Sequence, residues 1–186
     1  MSSAGSVGGD ERLRLFLALS LRPSTLDVLS AWSVANLSAG RVVAREHLHV
    51  TLAFLGSRPL DEVDAIVGAL RDAVAAGSEA IALEAVRWRE TRSVGMLALA
   101  DHAGVAARLA ARLHAGLEAL GVYRPEARPW LPHVTMLRFR ERPRLDPPLP
   151  GTGTFVPSDA AAYLSRLHPT GARYEVLERV SLIAGG

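Results

Sequence analysis

Apolar residues fall along this chain in short alternating runs and in longer stretches with helical spacing. Arg12-Leu13-Arg14-Leu15-Phe16-Leu17-Ala18-Leu19 reads as a strand with an apolar second half. Pro23 and Ser24 open a helix over 23–37, with Leu26, Leu29, Val34 and Leu37 as its expected inward stripe. A short strand over 41–44 leads directly into a second over 48–55, which Gly56-Ser57-Arg58-Pro59 should end. The helix over 61–76 carries Val63, Ile66, Val67, Leu70 and Val74 at helical spacing, with Gly77 as its stop. Strands follow over 81–88 and 93–100, then an alanine-rich helix over 103–120 closed by Gly121. An arginine- and proline-rich approach over 124–132 delivers a strand over 133–139, followed by a polar, proline-rich loop over 143–153. Two final strands, over 161–167 and 174–182, flank His168-Pro169-Thr170-Gly171, which has hairpin chemistry. Hairpins mixed with helices favour an α+β fold with largely antiparallel sheet over a doubly wound parallel one.

Two of these strands carry nearly the same four residues. His49-Val50-Thr51-Leu52 returns as His133-Val134-Thr135-Met136. Side chains alternate across a strand, so each His and Thr pair shares one face while Val and Leu or Met take the other. A lone strand histidine reads as structural or merely exposed, and a lone threonine as strand propensity. Two copies offer two imidazoles and two hydroxyls to one cleft, which suits acid–base work on a phosphate ester. Histidine both gives and takes protons near neutrality, and threonine can donate to a non-bridging phosphate oxygen. The strand–helix–strand surroundings of the two copies suggest an internal pseudo-duplication that rests mainly on the tetrapeptides.

Composition narrows the chemistry further. The 186 residues suit a single domain, expected over 12–186 behind a flexible Ser/Gly-rich tail over 1–11. Cysteine is absent, which excludes disulfides, thiolate zinc sites and Cys nucleophiles. No apolar run reaches membrane-span length and the N-terminus lacks signal-peptide form, so a cytoplasmic location is expected. All 21 basic residues are arginine. Lysine's absence removes P-loop and Schiff-base chemistry. Arginine suits bidentate phosphate binding, but coding bias in an Ala-, Arg-, Gly- and Leu-rich chain explains the total. A formal charge of +2 argues against a large electrostatic footprint on RNA.

With these segments in place, the chain resembles the 2H phosphoesterase superfamily, and within it the RNA 2′,3′-cyclic phosphodiesterases once called 2′-5′ RNA ligases. The similarity rests on Arg14-Leu15-Phe16-Leu17-Ala18-Leu19 and on the run from Glu46-His47-Leu48-His49 to Phe54-Leu55-Gly56. It continues through Arg128-Pro129-Trp130-Leu131-Pro132-His133-Val134-Thr135, Tyr163-Leu164-Ser165-Arg166-Leu167 and Gly171-Ala172-Arg173-Tyr174-Glu175-Val176-Leu177. Met136 replaces the family's usual leucine, Trp130 its commoner phenylalanine, and His168-Pro169-Thr170 a turn where glycine is more usual.

The resemblance implies a bilobal α+β fold, with two pseudo-symmetric lobes facing each other across a central cleft. It implies His49 and His133 as the catalytic pair, His49 the proton donor and His133 the acceptor. It also implies Thr51, Thr135 and Arg138 at the phosphate. Strict alternation would point Arg138 away from His133, so its role requires a bulge or the strand's end. Arg45, Arg128 and Arg140 are weaker candidates for RNA phosphates, and Phe54, Trp130 and Tyr123 for stacking a terminal base. His47 sits two residues before His49, on the same expected strand face, but lacks further metal ligands. His102 and His114 are expected to face solvent.

The implied activity is metal-independent hydrolysis of RNA 2′,3′-cyclic phosphate ends to 2′-phosphomonoesters, with 2′-5′ ligation as the reverse. No cofactor, membrane or obligate protein partner is expected, and the chain should act as a monomer. Two other readings fit the same residues: a nucleotide- or RNA-end-binding module without turnover, and a 2H phosphodiesterase of a small cyclic-phosphate or 2′-5′-linked metabolite.

Overall fold

The computed structural model describes residues 12–168 and 171–182. The expected tail over 1–11 and the centre of the turn at Pro169 and Thr170 lie outside the described residues. The elements run β1 (Arg12–Ser20), α1 (Pro23–Asn36), β2 (Arg41–Val42), β3 (His49–Pro59), α2 (Val63–Ala75), β4 (Leu83–Glu90) and β5 (Val94–Ala100). They continue with α3 (Val105–Ala119), β6 (His133–Arg138), β7 (Thr154–Phe155), β8 (Asp159–His168) and β9 (Gly171–Ser181).

The fold is α+β. One antiparallel sheet has the order β7-β4-β5-β6-β3-β1-β8-β9, with β2 added beside β6. The expected lobes are the two halves of this sheet: β3, β1, β8 and β9 on one side, and β6, β5, β4 and β7 on the other. In each half a strand, a helix and a histidine-bearing strand follow in sequence, as β1-α1-β3 and β5-α3-β6. The halves join through β3 and β6, where Val50 lies opposite Val134. These are the same position in the two tetrapeptides, so the pseudo-twofold passes between them.

Helix burial follows the 3.6-residue period where the sequence is amphipathic. In α2, Ile66, Val67, Leu70 and Ala73 are buried; in α3, Val105, Leu109, Ala110, Leu113 and Leu117 are. They share one core with Val50, Leu52, Val134 and Met136 from the sheet. The expected stripe of α1 is wrong in part. Leu29 and Leu37 are buried as expected, but Val34 is 78 % exposed, and Thr25, Trp32 and Ser33 face inward with Leu29. α1 is apolar around most of its circumference, so its periodicity could not choose the face. Trp32 does: its ring lies 6.0 Å from that of Trp88 on β4, and its Nε1–H donates to the Pro148 carbonyl at 2.8 Å.

Several strand boundaries differ by two or three residues, β7 was not expected, and two differences bear on the site. Gly56 does not end the strand, because β3 continues to Pro59 with Arg12 opposite Pro59. A 3₁₀ turn, Arg45–His47, separates β2 from β3.

Candidate active site

The valine pairing fixes the site. With Val50 opposite Val134 in an antiparallel ladder, His49 and Thr51 leave β3, and His133 and Thr135 leave β6, on one common face. Both valines point the other way and are fully buried. The two strands also share a defect. Leu52 has no partner between Ala18–Thr51 and Leu17–Ala53, and Met136 has none between Met96–Thr135 and Gly95–Leu137. Each is a bulge at the fourth residue of its tetrapeptide. A bulge resets alternation, so the sixth residues, Phe54 and Arg138, turn back towards the cleft. The bulge that Arg138 required is present, and Arg138 lines the cleft with His49, Thr51, Thr135 and Phe54.

The cleft encloses about 1040 Å³ and is also walled by Arg14, Arg41, Arg173, Ser165 and Tyr174. Arg41 lies directly opposite Arg138 across β2 and β6. Gly40 permits that approach: its φ is +75°, and a Cβ there would sit 2.6 Å from the Arg138 carbonyl oxygen. Arg14 and Arg41 were not among the sequence candidates. Arg14 occupies a period-2 position in β1, but only the register shows which face is the cleft.

Both histidines are held alike. Nδ1–H of His49 donates to the His47 carbonyl at 2.7 Å, and Nδ1–H of His133 donates to the Leu131 carbonyl at 2.8 Å. A carbonyl only accepts, so Nδ1 keeps its hydrogen and Nε2 carries the exchangeable proton in each ring. Their surroundings differ. The His49 ring centroid lies 4.9 Å from that of Phe16, 5.8 Å from Tyr174 and 6.2 Å from Tyr163. Burial, opposed by the His47 hydrogen bond and reinforced by the charges of His133, Arg138 and His47, lowers its pKa to about 4. Among the described residues no aromatic ring packs on His133.

The bulge in β3 is braced by side chains. Trp130 Nε1–H donates to the Thr51 carbonyl at 3.0 Å, and His114 Nε2–H to the Leu52 carbonyl at 2.8 Å. In β6 the Met136 carbonyl is taken by the Val43 amide at 2.9 Å. These contacts correct three expectations. His114 does not simply face solvent, Trp130 braces the bulge, and Tyr123 packs on His114 with ring centroids 4.7 Å apart. Phe54 is 52 % exposed in the cleft, where the Arg14 guanidinium lies 5.1 Å from its ring centre.

His47 belongs to the 3₁₀ turn rather than to the strand, and its ring packs on Tyr174 at 4.6 Å. Arg45 bonds Asp27 and Arg128 bonds Glu126. Among the described residues, no three His, Asp or Glu side chains gather where they could hold a metal ion. Nor is any helix there long and apolar enough to cross a membrane.

The sequence profile of the 2′-5′ RNA ligase superfamily matches residues 24–172. An RNA 2′,3′-cyclic phosphodiesterase of Thermus thermophilus is 33% identical over 188 residues, covering 91% of this chain and 90% of that protein. One from Escherichia coli is 28% identical over 177 residues, covering 92% and 98%. Among solved structures, E. coli LigT complexed with 3′-AMP superposes with a TM-score of 0.79 at 24% identity, over 94% of this chain and all of that one. TT0787 of T. thermophilus superposes with a TM-score of 0.73 at 29% identity, over 91% and 98%.

Proposed function

The chain belongs to the 2′-5′ RNA ligase superfamily, and from that premise we propose that it hydrolyses the 2′,3′-cyclic phosphate at RNA 3′ ends to a 2′-phosphomonoester. The observation that carries this reading is the pairing of Val50 with Val134, which sets two equivalent His–Thr pairs on one face. In the proposed reaction, His133 Nε2 takes a proton from water as its oxygen attacks phosphorus. The bond from phosphorus to the 3′ oxygen breaks, and His49 Nε2–H protonates that oxygen. Thr51, Thr135 and Arg138 hold the non-bridging oxygens as charge builds on them. No metal or cofactor takes part, and the protein acts alone on cytoplasmic RNA ends. Ligation to a 2′-5′ bond is the same chemistry in reverse.

Product analysis on an oligoribonucleotide ending in a 2′,3′-cyclic phosphate, with EDTA present, tests this reading. A 2′-phosphate product formed at the same rate with and without EDTA is the expected result. Strict dependence on a divalent ion would overturn the two-histidine mechanism. Binding without turnover would leave an RNA-end-binding module. Equal efficiency on a nucleoside cyclic phosphate, with no effect of salt, would favour a small-metabolite phosphodiesterase.

The donor role proposed for His49 meets its lowered pKa directly. In the free enzyme His49 is neutral above about pH 4. A bound phosphate anion favours the imidazolium and raises that value, so substrate binding brings a proton with it. Because kcat/KM reports the free enzyme, its pH profile is expected to bend near pH 4, where His49 changes protonation, and that bend should move upward in kcat. The absence of any bend near pH 4 in kcat/KM would count against the buried His49 environment. Thr51→Ala and Thr135→Ala should each lower kcat by roughly 10-fold to 100-fold, the scale of one hydrogen bond to a charged group. Unchanged kcat in both variants would remove the threonines from the phosphate.

A further inference from the structure

The register of the second half-sheet carries the active-site face outward onto β4. His133 lies opposite Ala98, and Ala98 opposite Arg87; Thr135 lies opposite Met96, and Met96 opposite Arg89. Residues directly opposite in an antiparallel ladder project to the same side. Arg87 and Arg89 therefore stand on the same face as His133 and Thr135, two strands away, or roughly 10 Å at the usual strand spacing. Both are exposed, and among the described residues neither makes an ion pair. The ladder residues between them and the histidine strand are Met96 and Ala98, both apolar, so neither row carries an intervening charge.

The rows that match these on the first half-sheet offer no free cation. They run from His49 through Ser20 to Asp159, and from Thr51 through Ala18 and Ala161 to Arg179. There Arg179 bonds the Asp159 carboxylate at 3.2 Å, and Ser20 Oγ donates to Asp159 at 2.6 Å. Along these rows an anionic strand meets unpaired cations towards β4 and a neutralised carboxylate at Asp159 towards β9, while Arg14 and Arg173 of the first half-sheet stand in the cleft wall itself.

A groove of about 700 Å³ lies at Arg87 and Arg89, with Arg142, Arg144, Glu90 and Asp146 also in its wall. The Glu90 carboxylate is already occupied by Arg142 and by the amides of Arg144 and Leu145. Asp146 is the remaining acid in the wall.

We propose that Arg87 and Arg89 form a subsite for the backbone phosphates immediately 5′ of the reacting end, so that single-stranded RNA leaves the cleft across β5 and β4. The proposal rests on the cyclic-phosphodiesterase reading and assigns the direction of the bound strand. Phosphate contacts of this kind add affinity without base preference and weaken with salt.

The test uses the full chain and the double variant Arg87→Gln/Arg89→Gln. Two measurements are paired: kcat/KM on an oligoribonucleotide with a 2′,3′-cyclic end and on the matching nucleoside cyclic phosphate, each at several salt concentrations. Fluorescence anisotropy of a labelled oligoribonucleotide bearing a 3′-phosphate gives binding without turnover. The expected result is a loss on the order of 10-fold in oligonucleotide kcat/KM and affinity, with the mononucleotide unchanged. The slope of log affinity against log salt should fall by roughly 1.4, the share of two single-strand phosphate contacts. Unchanged oligonucleotide binding and salt slope would overturn the subsite, as would equal losses on both substrates. If wild-type protein turned over neither substrate, the hydrolase reading would fail, while the anisotropy comparison would still decide the subsite.

Discussion

Replacing either His49 or His133 with alanine should lower kcat by on the order of 100-fold or more, because in the proposed mechanism each change removes a proton-transfer group from the transition state. The two losses should not multiply in the double variant, since the histidines act on one reaction step. Circular dichroism and the unfolding midpoint should show that the fold survives. Val50 and Val134, which join the two halves, point away from the cleft and are untouched. His49→Ala should cost more stability than His133→Ala, because His49 packs among Phe16, Tyr163 and Tyr174. Near-wild-type hydrolysis by either folded variant would make the two-histidine mechanism wrong.

The second large effect is on stability. Glu90→Ala should destabilise the protein by about 2 kcal/mol, because it removes the one charged acceptor that donors from β4 and the 142–145 loop share. The Glu90 side chain is only 2 % exposed. It accepts the Leu145 amide at 2.7 Å, the Arg144 amide at 2.9 Å, Arg142 Nε at 3.1 Å and Trp88 Nε1 at 3.3 Å. Burial by itself would raise the carboxyl's pKa, but the hydrogen bonds from Leu145, Trp88, Arg142 and Arg144 together hold it below the usual value. A depressed carboxyl contributes stability that is present above its unfolded pKa and is lost as pH falls through the folded one. The deficit of Glu90→Ala relative to wild type should therefore shrink in acid. Urea denaturation at neutral and acid pH measures both. An unchanged midpoint at neutral pH would mean that this carboxylate does not anchor the 142–145 loop.

The same clamp shows where the sequence could not be read. Residues 143–153 looked like a polar, proline-rich connection, and most of that stretch has no regular structure. It is nonetheless tied to β4 by Glu90 and to α1 by the bond from Trp32 to Pro148. Both ties join residues far apart in the chain, and nothing in the local pattern of 143–153 specifies them. Arg87 and Arg89 are illegible in the sequence for a similar reason. Along β4 they read as ordinary exposed arginines, and only the ladder through β5 places them on the histidine face.

Local periodicity by itself determined where strands and helices lie, because alternation and the 3.6-residue repeat are properties of neighbouring residues. The repeated tetrapeptide likewise singled out His49, Thr51, His133 and Thr135, since two copies of one pattern need no coordinates to be compared. Arg138 was legible only conditionally, as a residue that a bulge would have to turn. Register, bulge position and the choice of helix face were decided by tertiary structure. Leu52 and Met136 are displaced from the ladder because the sheet's pairing as a whole leaves them without partners. α1 faces inward through Trp32 because Trp88 and Pro148 receive it, while Val34, also apolar, is left largely exposed. The lowered pKa of His49 has the same origin. Its cause is desolvation by rings from β1, β8 and β9, and no stretch of sequence around His49 contains them.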